Sequence, residues 1–404
     1  MPTEKPTYKS VRLADRTKPF QESVIREMTR LGDEAGAVNL SQGLPDYPAP
    51  PEVLSAAIEA IRLGENQYTF PFGLPGFRSA IAYKSRKYNH INADSETSIT
   101  VTCGVSEAIV STVLALTEPG DEVILFEPWY ENYVPACTLA GVTPHFVPLH
   151  EPDYVWAPAE LRAAFNNKTR LVILNTPHNP TGRVFTRSEL EQLSSLCQEF
   201  GVIAITDEIY EYILYGNNVH TSLGSLDGMQ DRTVTISGLG KTYALTGWRI
   251  GWAIAHPDIT ALIRKVHDYM TICAPAPFQL AGITALGLPK KFYTALRTEY
   301  AARCAILLPA LTQAGFRYRP PEGAYYVMAD FAELAWPINR YSRPEWSLDR
   351  AFAEYMAREV GVAVVPCSSF YSGKKDGFTR VRLNFAKQPH TLREAARRLE
   401  NLPG

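Results

Sequence analysis

The chain has 404 residues, 46% of them hydrophobic and 20% charged, with a formal net charge of -2. That length allows two or more domains with a sizeable core, and the near-balanced charge gives no electrostatic reason to expect nucleic acid or an anionic membrane as partner. The opening "MPTEKPTYKSVRLADR" has no apolar stretch of the kind a secretory signal needs, and no run approaches the roughly 18 apolar residues of a spanning helix.

The six cysteines, Cys103, Cys137, Cys197, Cys273, Cys304 and Cys367, show no C-x-x-C spacing. They point to buried thiols in a reducing cytoplasm rather than to a zinc knot or a disulfide framework. The eight histidines form no H-x-x-x-H pair, so no metal site is expected.

Taken in chain order, the first 40 or so residues show no strand alternation. They read as an arm plus a helix, packed on a later part of the chain or on a neighbour. From about residue 96 to 256, short apolar runs alternate with helical patterns, as βαβ units of a mainly parallel sheet do. The predicted strands are 98–102 ("SITVT"), 122–128, 144–149, 170–175, 202–206, 232–236 and 248–255 ("WRIGWAIA"). Several are apolar at consecutive positions, as expected of strands covered on both faces. Helices are predicted at 105–117 and at 187–199, the latter opened by Thr186 as N-cap. A long helix follows at 290–316. After it come "GAYYVMADF", a helix near 346–359, "VAVVP", "TRVRLNFA" and a final helix from 390, which together read as a smaller α+β unit. The predicted division is 1–45 as arm and part of the small domain, 46–289 as the large domain, and 290–404 as the small domain.

Ligands of an open parallel sheet gather beyond the carboxyl ends of its strands. "CGVSEA" follows the first predicted strand and brings Gly104, Val105 and Ser106 to a helix start, where exposed N–H groups and the helix dipole attract phosphate. "NTPHNPTG" follows "RLVIL" and holds amide side chains on a rigid loop. "DEIY" puts Asp207 at a strand end, as N-cap or functional carboxylate, with Tyr210 one turn on. In "ISGLGKTYALTGWRIGWAIA", Lys241 sits in a glycine loop between two buried strands, and Arg249 follows. A surface lysine there is unremarked chemistry, whereas a buried one has a lowered pKa and serves as a nucleophilic amine. Cradle, carboxylate, amide and amine together suit pyridoxal phosphate.

These residues resemble a known family. "GLGKTYALTGWRIG" matches the lysine signature of the class I/II pyridoxal-phosphate aminotransferases of fold type I. The likeness continues through "NLSQGLPDY", "NQYTFPFGLPGFR", "VTCGVSEAI", "FEPWYENY", "NTPHNPTG", "DEIYEYILY" and "VRLNFA". It is strongest toward the kynurenine, glutamine and methionine aminotransferase branch.

The resemblance implies an α/β fold in which a large domain with a mainly parallel seven-stranded sheet sandwiched by helices carries the cofactor, beside a smaller α+β domain. It implies pyridoxal 5'-phosphate held by Lys241 as a Schiff base, Asp207 on the pyridinium nitrogen, Asn179 and Tyr210 on the ring hydroxyl, and Trp129 on the ring face. The phosphate would meet Arg249, Gly104, Val105, Ser106 and Tyr68 of a partner subunit, which makes the enzyme a homodimer. A serine three residues before the lysine often joins them in this branch. Here that position is Gly238, and Ser237 stands one residue earlier as the candidate. Arg382, with Gly43 and Asn179, would take the substrate α-carboxylate.

The implied activity is ping-pong transfer of an amino group from an L-amino acid to a 2-oxo acid. Tyr68, Trp129 and Phe20 suggest an aromatic wall for a large neutral or aromatic substrate, and no basic residue stands out as partner for a second carboxylate. Eliminations, cyclisations or replacements, for instance on an S-adenosylmethionine-like substrate, use the same residues and form the alternative.

Overall fold

The computed structural model describes residues 14–18, 20, 22–373 and 377–402; the first 13 residues of the expected arm lie outside them. A seven-stranded sheet runs in the order Ile99–Thr102, Gly251–Ile254, Thr233–Gly238, Ile203–Asp207, Thr169–Asn175, Glu122–Glu127, Thr143–Pro148. All neighbours pair parallel except Gly251–Ile254, which runs against both of its own. All seven predicted strands are present. The correction concerns the last, which begins at Gly251 rather than 248 because a 3₁₀ turn occupies Thr246–Trp248 and Arg249 adopts φ +55°.

The sheet is buried on both faces, which is why its strands are apolar without alternation. Ile124, Phe126, Val172 and Leu174 enter one cluster, whereas Val123, Leu125, Leu171 and Ile173 enter the other. The helix Arg187–Phe200 opens on the expected Thr186, whose hydroxyl accepts from the Glu189 N–H while Glu189 reaches back to the Thr186 N–H. This reciprocal cap satisfies two orphan donors.

The C-terminal third forms a four-stranded antiparallel sheet, Val365–Pro366, Arg380–Asn384, Tyr326–Asp330 and Arg317–Tyr318. The long helix Lys290–Gln313 ends three residues earlier than the pattern suggests, because Gly315 at φ +88° turns the chain into Arg317. The helix Leu348–Tyr355 continues as one π turn, Met356–Val360. The helix Val24–Ala35 buries Met28 and Leu31 in the same core as Leu307, Phe352 and Leu383. Val38–Asn39 pairs parallel with Val362–Ala363, so the first 40 residues do contain a strand, one too short to show alternation. Among the described residues no helix is long and apolar enough to cross a membrane.

Candidate active site

Strand register gathers the site. Asn175, Asp207 and Ile236 lie side by side, as do Gly238, Gly251 and Thr102. Because Gly251–Ile254 is antiparallel, its beginning lies where the parallel strands end. Arg249, two residues before it, therefore joins the loops that carry Gly104, Asn179, Asp207 and Lys241. These residues line one cavity of about 390 Å³, together with Gly43, Val105, Ser106, Tyr210 and Arg382.

Lys241 Nζ donates to the Gly43 carbonyl at 3.0 Å, and Tyr325 Oη donates to the same oxygen at 3.0 Å. Burial lowers the lysine pKa, with Arg382 and Arg249 adding to the effect against Tyr326 and Asp207. Gly43 has to be glycine, since a Cβ there would collide with Tyr326 Oη. Asp207 is buried at its strand end, accepting from Tyr133 Oη at 2.8 Å and from the Ile209 N–H at 3.3 Å. Burial pushes its pKa up to about 6, against those two hydrogen bonds and the charge of Lys241.

Gly104, at φ +83°, caps the helix Val105–Leu116. A Cβ on it would stand 2.6 Å from Arg249 Nη2, and one on Gly251 would stand 2.6 Å from the Gly104 carbonyl carbon. The two glycines thus let guanidinium, turn and strand pack backbone to side chain. Arg249 Nη1 donates to Thr246 O at 3.0 Å. Ser106 Oγ accepts from Asn132 Nδ2 at 3.1 Å, which leaves its hydroxyl hydrogen to give.

Arg382, in the middle of Arg380–Asn384, is fully buried. Its Nη1 donates to Asn179 Oδ1 and its Nη2 to Ser41 O, both at 2.9 Å, while Nε has no partner among the described residues. The guanidinium also lies 4.4 Å from the Tyr326 ring centre. Arg380, two positions away, turns outward to pair with Glu151 and Asp330. Tyr210 Oη meets Tyr326 Oη at 3.1 Å, and burial raises its phenol pKa well above the ordinary value.

Three expectations are corrected. Trp129 does not line the cavity; its ring stacks on Phe146 at 4.5 Å in the core, and the next residue, Tyr130, faces the site instead. Ser237 points to the other face of its strand, donating to Glu211 Oε1 at 2.7 Å. It takes no part in the cavity wall. Phe20, 37% exposed, does not line the cavity; Tyr68, 79% exposed, does not line that of its own chain, which leaves its expected place in a partner's site untouched. The walls come instead from Tyr130, Tyr210, Tyr326, Ile25 and Leu44, and a basic residue, Arg26, is present at the mouth. The motif "EPWY" offers two adjacent aromatics, and packing selects Tyr130 for the cavity. Arg26 and Ser23 carried no local signal, being brought in from the amino-terminal helix.

Behind Ser237, among the described residues, Glu208, Glu211 and His220 form the group whose composition suits a metal. The Lys84 ammonium already sits 2.5 Å from both Glu211 oxygens, Asn89 donates to Glu211 Oε2, and Ser222 and His220 meet Glu208 Oε2, while Glu208 Oε1 and His220 Nδ1 have no hydrogen-bond partner among the described residues. A side-chain cation fills that role.

Residues 35–399 match the family model described as aminotransferase class I and II. The chain is 35% identical to methionine aminotransferase of Escherichia coli, over 94% of this chain and 96% of that one. It is 33% identical to human kynurenine–oxoglutarate transaminase 3, over 94% and 88% respectively. The solved structure of N-succinyldiaminopimelate aminotransferase from Mycobacterium tuberculosis superposes with a TM-score of 0.91 at 37% identity, covering 97% of this chain and 100% of that one.

Proposed function

The chain belongs to the aminotransferase class I and II family, a pyridoxal-phosphate-dependent family of fold type I, and on that premise we propose how its own residues divide the work. The observation that carries the proposal is the convergence of Lys241, Asp207, Asn179, Arg249 and Arg382 on one cavity. The cavity fits the cofactor. A buried carboxylate with a raised pKa and, among the described residues, no guanidinium or ammonium bonded to it suits a protonated ring nitrogen. A helix start beside a guanidinium suits a phosphate.

Bound pyridoxal phosphate supplies an aldehyde that captures amino groups and a ring that withdraws electrons from the carbon bearing them. Lys241 would hold the cofactor and, with its amine freed, would serve as the base that takes the proton from the substrate Cα and the acid that returns it on the far side of the amino nitrogen. Its lowered pKa keeps the amine available as a base. Asp207 keeps the ring nitrogen protonated. Tyr210 Oη and the Asn179 amide donate to the ring oxygen; Asn179 Oδ1 is already spent on Arg382, leaving its Nδ2 for this task. Tyr130 covers the ring face. Arg249, Ser106 and the N–H groups after Gly104 bind the phosphate, and Arg382 takes the α-carboxylate. The experiment is to mix purified holoenzyme with L-amino acids and 2-oxo acids and follow the new amino acid. Consumption of the donor with release of ammonia and no new amino acid would point to elimination instead.

The assembly is a homodimer in this proposal. Tyr68 stands apart from its own cavity and is free to complete a partner's. Leu54, Ile58 and Ile61 on the helix Pro51–Arg62, with Tyr269, Met270 and Ile272, are exposed apolar side chains that a second copy would cover. A cytoplasmic setting and the division into 1–45, 46–289 and 290–404 belong to the same proposal. The free cysteines support the first, and the two larger sheets, drawn from separate stretches, support the second.

The donor is a large neutral or aromatic amino acid, held against Tyr130, Tyr326, Ile25 and Leu44. One observation favours a second reading. Arg26 lines the cavity, and its guanidinium has no hydrogen bond or ion pair among the described residues, so a long side chain ending in a carboxylate would find a partner there. Arg26→Ala distinguishes the two: selective loss of acid-terminated donors supports the second reading, and equal rates on all donors support the first.

A further inference from the structure

His267, on the helix Pro257–Thr271, has a fully buried side chain and makes two hydrogen bonds to separate parts of the molecule. Its Nε2 lies 2.7 Å from Pro71 O, and its Nδ1 lies 2.6 Å from Glu107 Oε1. A carbonyl oxygen only accepts, so Nε2 carries a hydrogen. Nδ1 then shares a proton with Glu107. Burial works against a charged imidazole, but hydrogen bonding and charge from Glu107, with the Pro71 carbonyl, outweigh it and raise the pKa. The other groups facing the ring are Thr271 Oγ1, 3.2 Å from Nδ1, and the charge of Asp268.

Both partners belong to parts assigned to the phosphate. Glu107 stands in the first turn of the helix Val105–Leu116, and its Oε2 accepts the Cys103 N–H at 2.5 Å, fixing the turn that ends in Gly104. Pro71 belongs to the loop that presents Tyr68. That loop is otherwise pinned by Val101 N–H on Phe72 O at 3.0 Å and by Phe72 against Arg264, 3.9 Å from its ring centre. Glu107 is thus a buried carboxylate close to where a phosphate dianion would bind. Without a proton from His267 its charge would oppose that anion.

We propose that His267 is a positioning residue for the cofactor phosphate, neutralising Glu107 under the cradle and tying the cradle to the loop that Tyr68 lends to the partner subunit. This rests on the pyridoxal-phosphate reading above. It goes further in giving the residue beneath the cradle a task specific to the phosphate.

The test compares binding of pyridoxal phosphate with binding of pyridoxal, which lacks the phosphate, to His267→Phe after removal and readdition of cofactor, followed by absorbance and fluorescence. At least tenfold weaker binding of pyridoxal phosphate is expected, with pyridoxal binding unchanged. Glu107→Gln added to the variant should recover most of the loss, since the opposing charge is then gone. His267→Asn, which keeps a donor near the Nδ1 position but no charge, carries the same expectation and serves if the phenylalanine variant does not fold. Equal weakening of both ligands would mean a merely structural histidine and overturn the proposal, as would unchanged binding of both. A wild-type protein that binds neither ligand would overturn the cofactor reading itself, and this inference with it.

Discussion

Arg382 Nη1 donates to Asn179 Oδ1 at 2.9 Å, joining the C-terminal antiparallel sheet to the loop that leaves the parallel one. The bond fixes the guanidinium plane, and the partnerless Nε shows that the fork has capacity left. Arg382→Lys keeps the charge and loses the fork. Removing a charge-assisted bond costs about 1.5–3 kcal/mol, so KM for the amino donor should rise roughly 10- to 100-fold, with kcat changed less. Steady-state kinetics decide it, and an unchanged KM would place the carboxylate elsewhere.

Lys241→Ala should lower kcat by at least about 100-fold, the lower bound for a positioned acid–base group, while the protein stays folded. A second readout is independent of activity. Borohydride reduction of wild-type holoenzyme should leave a cofactor label on the peptide containing Lys241, detectable by mass spectrometry, and the variant should carry none there.

Asp207 gives a pH-dependent prediction whose sign is opposite to that of a salt-bridged carboxylate. Its folded pKa of about 6 lies above the ordinary 3.8, so the folded apoprotein binds the proton more tightly than the unfolded chain. No penalty exists below about pH 4; it grows as pH rises and is complete above 6. Asp207→Asn should therefore stabilise the apoprotein at pH 8 by up to about 3 kcal/mol, with little effect at pH 4, by thermal unfolding. The same variant should lose most activity. Equal stability of variant and wild type at pH 8 would count against the desolvated carboxylate.

Gly238→Ser tests whether the glycine is merely a missing phosphate ligand. A Cβ at this position would lie 2.7 Å from Ile250 O and 3.1 Å from Gly251 Cα, both backbone atoms of the antiparallel neighbour. Overpacking of this kind costs typically 1–3 kcal/mol, so the melting temperature should fall. Tighter cofactor binding by the serine variant, with no loss of stability, would contradict the packing argument.

Much of the molecule was readable in one dimension because its determinants are local. The consecutive apolar runs of "EVILFEP" and "RLVILN" announce strands covered on both faces. Thr186 and Glu189 announce a helix start, and the glycines around Lys241 announce a tight loop. Which of two adjacent aromatics faces a cavity is a different kind of question. Trp129 and Tyr130 differ by one residue, and the choice between them was made by Phe146, which offers Trp129 a stacking partner. Ser237 is similar, since the pleat of its strand sends it toward Glu211 and away from the site.

Sequence alone determined the family, the cofactor and the chemical types of the groups that handle it, because a reactive amine, a carboxylate and a glycine turn must stand at strand ends whatever surrounds them. Only the tertiary structure decided which of the candidate side chains share the cavity and which others join them. Asn175 and Asp207 stand abreast through strand register, Arg249 arrives through an antiparallel strand, and Arg26 and Arg382 come from the two ends of the chain. Such contacts depend on packing between segments from tens to hundreds of residues apart, and for Arg26 no local pattern records it.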